Sequence, residues 1–364
     1  MTDLLDKIKA DPYNFICDFY EKMYIHIGHE VFSTLSLVIP SLILPAIPHS
    51  NARDIKSSIN MLLICPPGNG KSGIAETFEK LAYNSFPFES ITDAKLYEEL
   101  SKKDFVSVTV GDVFKLFSDK TLAKTMENIL GDEQKISRMT TRTDSTEKKI
   151  RACAFLAGTP NSLTSVISDG MLFRVSVCLV FHNPDEHEDI GEKIGNGTFE
   201  EKDGENAEDF IKDFYEELLR IQTDKHSSID PISSYGVTSA QKSRIIEAWK
   251  PLVRGITRRT NLSFFRELHQ GYRYMVAHAF LNIFNRKNDL GKLIIDDEDV
   301  TVAIKLMTNE IKIKEEILNC STVVSEQKLK TTKDLSEYVD KAKRNKKQIK
   351  STVSNIMGSL VKGL

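Results

Sequence analysis

Hydrophobic spacing divides the chain into a first part of short apolar runs and a second part of helical repeats. The run Ser58-Ile-Asn-Met-Leu-Leu-Ile64 has strand length and ends at a loop rich in proline and glycine. Three further runs, 105–110, 152–157 and 175–181, also have strand length. The first ends at Gly111-Asp112, the second at Gly158-Thr159-Pro160-Asn161, and the third begins after Arg174. Between them lie helix-spaced stretches such as Leu122, Met126 and Ile129. Strands alternating with helices predict an α/β fold with a buried parallel sheet, whose working residues sit at the C-terminal ends of the strands.

Before the first strand, residues 11–48 read as helices. The stretch 195–209 is acidic and glycine-bearing, and predicts an exposed loop leaving the sheet domain. Helical spacing then dominates over 208–221, 238–253, 261–284 and 297–318, which predicts a helical bundle. Beyond Ser325 the chain becomes rich in lysine and poor in acids. Apolar positions Leu335, Val339, Ile349, Val353, Ile356 and Leu360 there suit a helix-turn-helix. The expected organisation is therefore a helical lead-in (1–57), a sheet domain (58–194), a linker with a helix (195–235), a lid (236–320) and a winged-helix-like tail (325–364).

Composition narrows the function classes. The 364 residues are 40% hydrophobic and 28% charged with a formal charge of −3, so any polyanion site has to be local. Five scattered cysteines form neither a disulfide framework nor a zinc pattern, and the acidic start does not read as an export signal, so the expectation is a reducing, cytoplasmic setting. The apolar stretch 31–48 carries Pro40, Pro45 and Pro48 and falls short of a membrane span, so it is expected in the core.

The loop after the first run, Cys65-Pro66-Pro67-Gly68-Asn69-Gly70-Lys71-Ser72, has the makings of a phosphate cradle. Gly68 and Gly70 allow positive φ and inward-pointing N–H groups; Pro67 and Asn69 complete the loop. Lys71 offers a point charge to the β- and γ-phosphates and Ser72 a hydroxyl to Mg²⁺, so ATP and Mg²⁺ are the expected ligands. Asp112, at the end of the next run, is the candidate second contact to the metal, with Glu127 or Asp132 as possible helpers; alternatively it caps the following helix. Asn161 is placed to reach a γ-phosphate or an attacking water. Arg174 is placed to reach the γ-phosphate of a neighbouring subunit, a contact worth on the order of 10³–10⁵ in rate where it operates.

Taken in order, these segments resemble the MCM family, the AAA+ ring helicases of archaeal and eukaryotic replication. Ile27-Gly28-His29-Glu30-Val31 is similar to that family's Gly-His-Glu entry segment, and 59–72 to its Walker A strand and loop. Val110-Gly-Asp-Val-Phe-Lys-Leu116 resembles Walker B, with Gly111 where the family has aspartate and Asp112 where it has glutamate. Leu156-Ala-Gly-Thr-Pro-Asn161 resembles sensor 1, with the asparagine after the proline. Leu172-Phe-Arg174 and Asn183-Pro-Asp-Glu-His-Glu-Asp189 resemble the arginine-finger segment. Arg259 and Arg266 keep the spacing of the sensor 2 helix. The likeness spans roughly 24–308 and lacks the family's N-terminal modules, which suits a pared-down relative of viral or mobile-element type.

The resemblance implies an AAA+ P-loop core working as a homo-oligomeric ring, a hexamer, with Arg174 and Arg259 arriving from neighbours. It also places a channel hairpin at 134–149, where Lys135, Arg138, Arg142, Lys148 and Lys149 would meet DNA phosphates. In the tail, Lys346, Lys347 and Lys350 are candidates for DNA contact, or the tail docks other replication proteins. The implied activity is an ATP-dependent DNA helicase or translocase in replication. The alternatives are an ATP-gated loader with weak hydrolysis, favoured by Gly111, and an origin-recognition protein led by the tail.

Overall fold

The structure is a computed structural model that describes residues 2–330, apart from 25–26, 49–53, 132–133, 140–144, 163–170, 181–187, 189, 191, 193–200, 225–226, 261–264 and 287–290. The helix-turn-helix expected in the tail, with Lys346, Lys347 and Lys350, lies outside the described residues, as does Asp132.

Three helices lead in: α1 (Thr2–Ala10), α2 (Pro12–Met23) and α3 (His29–Ser41). Residues 31–41 of α3 are buried throughout, which places the expected apolar stretch in the core against the sheet. No described helix is long and apolar enough to cross a membrane.

The sheet domain runs β1 (Asn60–Ile64), α4 (Lys71–Leu81), β2 (Ser85–Phe88), α5 (Asp93–Ser101), β3 (Phe105–Val110), α6 (Val113–Ser118) and α7 (Lys120–Leu130). The hairpin strands β4 (Lys135–Met139) and β5 (Ser145–Lys149) follow, then β6 (Arg151–Gly158) and β7 (Ser176–Leu179). Five of these strands form one parallel sheet in the order β2-β3-β6-β1-β7. The inner strands β1, β3 and β6 are buried along nearly their whole length, and β1 and β6 are mostly apolar, because helices cover both faces. The fifth strand, β2, carries Pro87, which an edge position tolerates because one side of it makes no ladder bonds.

The remaining elements are α8 (Glu201–Thr223), β8 (Ser234–Gly236), α9 (Ser239–Thr260), α10 (Phe265–Leu281), β9 (Lys292–Ile294) and α11 (Asp297–Lys330). Helix α8 begins inside the stretch expected as loop, so residues 201–209 are helical. Its inward face is set by Ala207, Ile211, Phe214, Tyr215 and Leu218, all buried. Helix α10 is buried from Gln270 to Leu281 and packs against α3 and α11. Its polar residues form a network that ties the lid to the sheet. Gln270 Nε2 donates to Ser176 Oγ of β7 at 2.7 Å, and the Tyr274 hydroxyl lies 2.7 Å from both Ser176 Oγ and Glu310 Oε2. Lys314 lies between Glu267 (3.0 Å) and Glu310 (2.5 Å), with all three side chains buried.

Candidate nucleotide site

The site begins where β1 ends. Cys65 N donates to Gly158 O at 3.1 Å and Val180 N to Ile64 O at 3.0 Å, so the loop leaves from between two flanking strands. Gly68 and Gly70 adopt φ of +87° and +78°, as their types require, and Gly70 is the residue from which α4 starts. Space is not what selects glycine at 68, since a Cβ there would meet nothing within 4 Å. The left-handed backbone does, at a cost of about 1–2 kcal/mol for any other residue.

No side chain caps the N-terminus of α4. Its first-turn amides and the positive end of its dipole are thus directed at whatever the loop encloses. Lys71 is half-buried and Ser72 exposed at this end. Asn69 is 6% exposed, and its amide nitrogen has no acceptor among the described residues. A buried donor in that state suits a phosphate oxygen, so the residues present fit a nucleoside triphosphate. Burial pushes the Cys65 thiol up, against the opposing charge of Lys71, so the residue behaves as a small apolar wall.

Two residues that were not among the expected ligand contacts support this loop. The Tyr24 hydroxyl lies 3.1 Å from Gly73 O and 2.7 Å from Thr77 Oγ1, bracing the first turns of α4 from the end of α2. Gly73 admits the ring, since a Cβ there would come within 3.1 Å of Tyr24 Cε1. Gly158 is the second. A Cβ at that position would lie 2.6 Å from Val113 Cγ1 and 3.1 Å from both Ile64 Cδ1 and Ser162 Cβ. The end of β1 and the segments that follow β3 and β6 therefore converge on one glycine.

Asp112 stands at this convergence as the N-cap of α6, its Oδ1 accepting from Phe114 N at 3.1 Å. The capping alternative is thus realised. It leaves carboxylate lone pairs over, so capping and a contact to metal-bound water are compatible. Asn161 lies in the 3-10 turn Pro160–Ser162 directly after β6, and its side chain is outside the described residues. Glu127 is not a helper for Asp112. It turns to Arg174, with Oε1 2.5 Å from Nη2.

Arg174 sits at the opposite end of the sheet from the phosphate loop. Its carbonyl accepts from Asn60 Nδ2 at 3.1 Å, and Asn60 is the first residue of β1, whereas the loop follows the last. At about 3.3 Å per residue the strand separates the two by roughly 16 Å, about twice what an extended arginine side chain spans. Arg174 shares a cleft with Lys56, Leu130, Gly131, Phe173, Arg266 and Arg273. Arg273 Nε donates to Lys56 O at 2.9 Å. Arg266 thus lies beside Arg174, a neighbour that its spacing in the sequence did not announce. Arg259 lies on α9, with its side chain outside the described residues.

The segment between α7 and β6 is an antiparallel hairpin that pairs Lys135 with Lys149 and Arg138 with Thr146. The side chains of Lys135 and Arg138, and all of Arg142, are outside the described residues. Gln134 anchors the base, its Nε2 donating to Ser58 Oγ at 2.8 Å and Ala152 O at 3.0 Å. Lys148, expected to meet DNA phosphates, instead donates to Ser101 O (2.7 Å) and Lys103 O (2.9 Å) at the end of α5, where orphan carbonyls favour a cation. Elsewhere, Asp18, Glu21 and His29 bring three ligand atoms within 4.8 Å of one another, a geometry that the 3.1 Å contact of His29 Nδ1 with Glu21 Oε2 accounts for.

No protein-family model matches the chain, and no curated protein matches it.

Proposed function

We propose that this chain is an ATPase subunit of the MCM-like AAA+ class that hydrolyses ATP at the junctions between copies of itself and uses the resulting motion to translocate along DNA. The observation that carries the proposal is the separation of Arg174 and Arg266 from the phosphate loop. A phosphate-binding loop with a lysine and a cluster of arginines are both present in one subunit, but at opposite ends of a sheet too long for either to reach the other. A head-to-tail neighbour brings them together, and repeated head-to-tail contact closes into a ring.

Within one site, the amides of 68–72 and Lys71 would hold the phosphates, and Ser72 and Asp112 would be the residues that hold Mg²⁺. The metal, when bound, supplies charge neutralisation and polarisation of the phosphoryl group. Asn161 would orient water for in-line attack. The neighbour's Arg174 and Arg266 would neutralise charge that develops as the terminal phosphate departs. The hairpin 135–149 would carry the DNA backbone, through Lys135, Arg138, Arg142 and the exposed Lys149, with Lys148 serving the fold instead.

A translocase shows ATP hydrolysis that single- or double-stranded DNA stimulates and that Lys71→Ala abolishes. Failure to bind DNA at low salt would sink it. A second reading is an ATP-gated loader that assembles on binding and turns over slowly. It is favoured by the geometry at Asp112, which is engaged in capping and follows Gly111 where a second acid would stand. ATP-dependent assembly without strand separation would select it.

A further inference from the structure

Arg174 is held inside its own subunit. Its guanidinium Nη2 lies 2.5 Å from Glu127 Oε1, and the two side chains are 18% and 19% exposed. Its backbone is fixed independently, because Asn60 Nδ2 donates to the Arg174 carbonyl. The guanidinium can therefore change partner while its anchor stays in place. Glu127 is also contested, since Lys124 Nζ sits 2.8 Å from Oε2. Burial alone would raise the Glu127 carboxyl, but Lys124, Arg174 and Arg266 together hold it below the ordinary range and keep it ionised.

We propose that Glu127 is a latch on Arg174. In the isolated subunit it holds the guanidinium against α7. Joining a second copy of this chain exchanges the Glu127 carboxylate for the phosphate oxygens bound in the neighbour's loop. The exchange swaps one oxyanion partner for another and makes no covalent bond. An ion pair at this exposure sets a threshold without blocking assembly, since its loss is worth roughly a two- to ten-fold change in an equilibrium. Glu127 is thus a positioning residue acting through Arg174. The proposal rests on the shared-site function above and adds to it the control of when the site can form.

The test measures the ATP concentration that half-assembles the full chain, by sedimentation velocity, alongside ATP binding and thermal melting of each variant. Glu127→Gln lowers that concentration by roughly three-fold or more with ATP binding by the dilute subunit unchanged. Lys124→Ala, at a side chain 68% exposed, removes the competing cation and raises it. Opposite shifts are not what a merely structural ion pair gives, and Lys124→Ala keeps the test open if Glu127→Gln folds poorly. In an Arg174→Ala background, Glu127→Gln leaves assembly where Arg174→Ala alone puts it. An unchanged or raised midpoint for Glu127→Gln, or a shift that survives without Arg174, overturns the latch alone. If the native chain does not assemble with ATP at all, the shared site fails and the latch with it.

Discussion

Gly158→Ala is the sharpest perturbation of the candidate site that removes none of its chemistry. The added methyl would sit 2.6 Å from Val113 Cγ1, about 1 Å inside normal carbon–carbon contact, with Ile64 Cδ1 and Ser162 Cβ both at 3.1 Å. Val113, Ile64 and Ser162 are all buried, so none can swing into solvent. Relief requires the end of β1 and the segments after β3 and β6 to move apart by several tenths of an ångström, and Asp112 moves with Val113. Overpacking of this kind costs about 1–3 kcal/mol. Equilibrium denaturation should show that loss, and a fluorescent ATP analogue should bind more weakly because the loop after Ile64 has shifted. Val113→Ala removes the nearest clashing carbon, so the double variant should recover part of the Gly158→Ala loss, with a coupling of about 0.5–3 kcal/mol. A single variant within about 0.5 kcal/mol of the native chain, or strict additivity with Val113→Ala, would refute the convergence of the three segments on Gly158.

Gly70→Ala forces a side chain onto a backbone with φ of +78°; ATP affinity should fall by about ten-fold as strain of about 1–2 kcal/mol opens the loop, measurable by isothermal titration. Lys314→Met leaves Glu267 and Glu310 buried without their cation and should destabilise the chain by about 3–5 kcal/mol at pH 8. The pH dependence of that deficit has a definite sign. Burial already raises the Glu267 carboxyl against the pull of Lys314, and without Lys314 it rises further. The folded form then binds a proton more readily than the unfolded chain. The stability this provides is present at low pH and lost as pH rises through the folded value, so the deficit should shrink between pH 8 and pH 5 in denaturant titrations.

The backbone of the loop at 65–72 was legible in the sequence because its signals are local. Two glycines, a lysine and a serine at fixed spacing after an apolar run state both the backbone conformation and the charge. Strand β6 was legible for a similar reason, as a continuous apolar run marks a strand covered on both faces, and β3 by its strand length and β-branched residues although Ser107 and Thr109 interrupt it. Strand β2 was not, because Ser-Phe-Pro-Phe contains a proline and an edge position asks for little hydrophobicity. The first turns of α8 were read as loop because Gly204 and the acidic run hide a periodicity that becomes clear only from Ala207 onward. Tyr24 carries no motif, and Gly158 lies in one that says nothing of its packing; the importance of both lies in contacts with residues 49 and 45 positions away. Arg174 was singled out by its motif, but its pairing with Glu127 across 47 positions is announced by no local pattern. Gln270, Arg273 and Tyr274 are polar by type yet all three are buried, and their partners Ser176, Lys56 and Glu310 lie on other elements that no local pattern connects to this helix.

The central claim is that one subunit supplies the phosphate loop and another the arginines. It is tested most directly by mixing Lys71→Ala with Arg174→Ala chains and measuring ATP hydrolysis. Each variant alone should be nearly inactive, the second by on the order of 10³-fold or more. In an equimolar mixture of randomly assembled head-to-tail rings, about one junction in four joins an intact loop to an intact arginine. Hydrolysis should therefore return to roughly a quarter of the native rate per subunit. A mixture no more active than its components, measured where both variants assemble, would contradict a site shared between subunits.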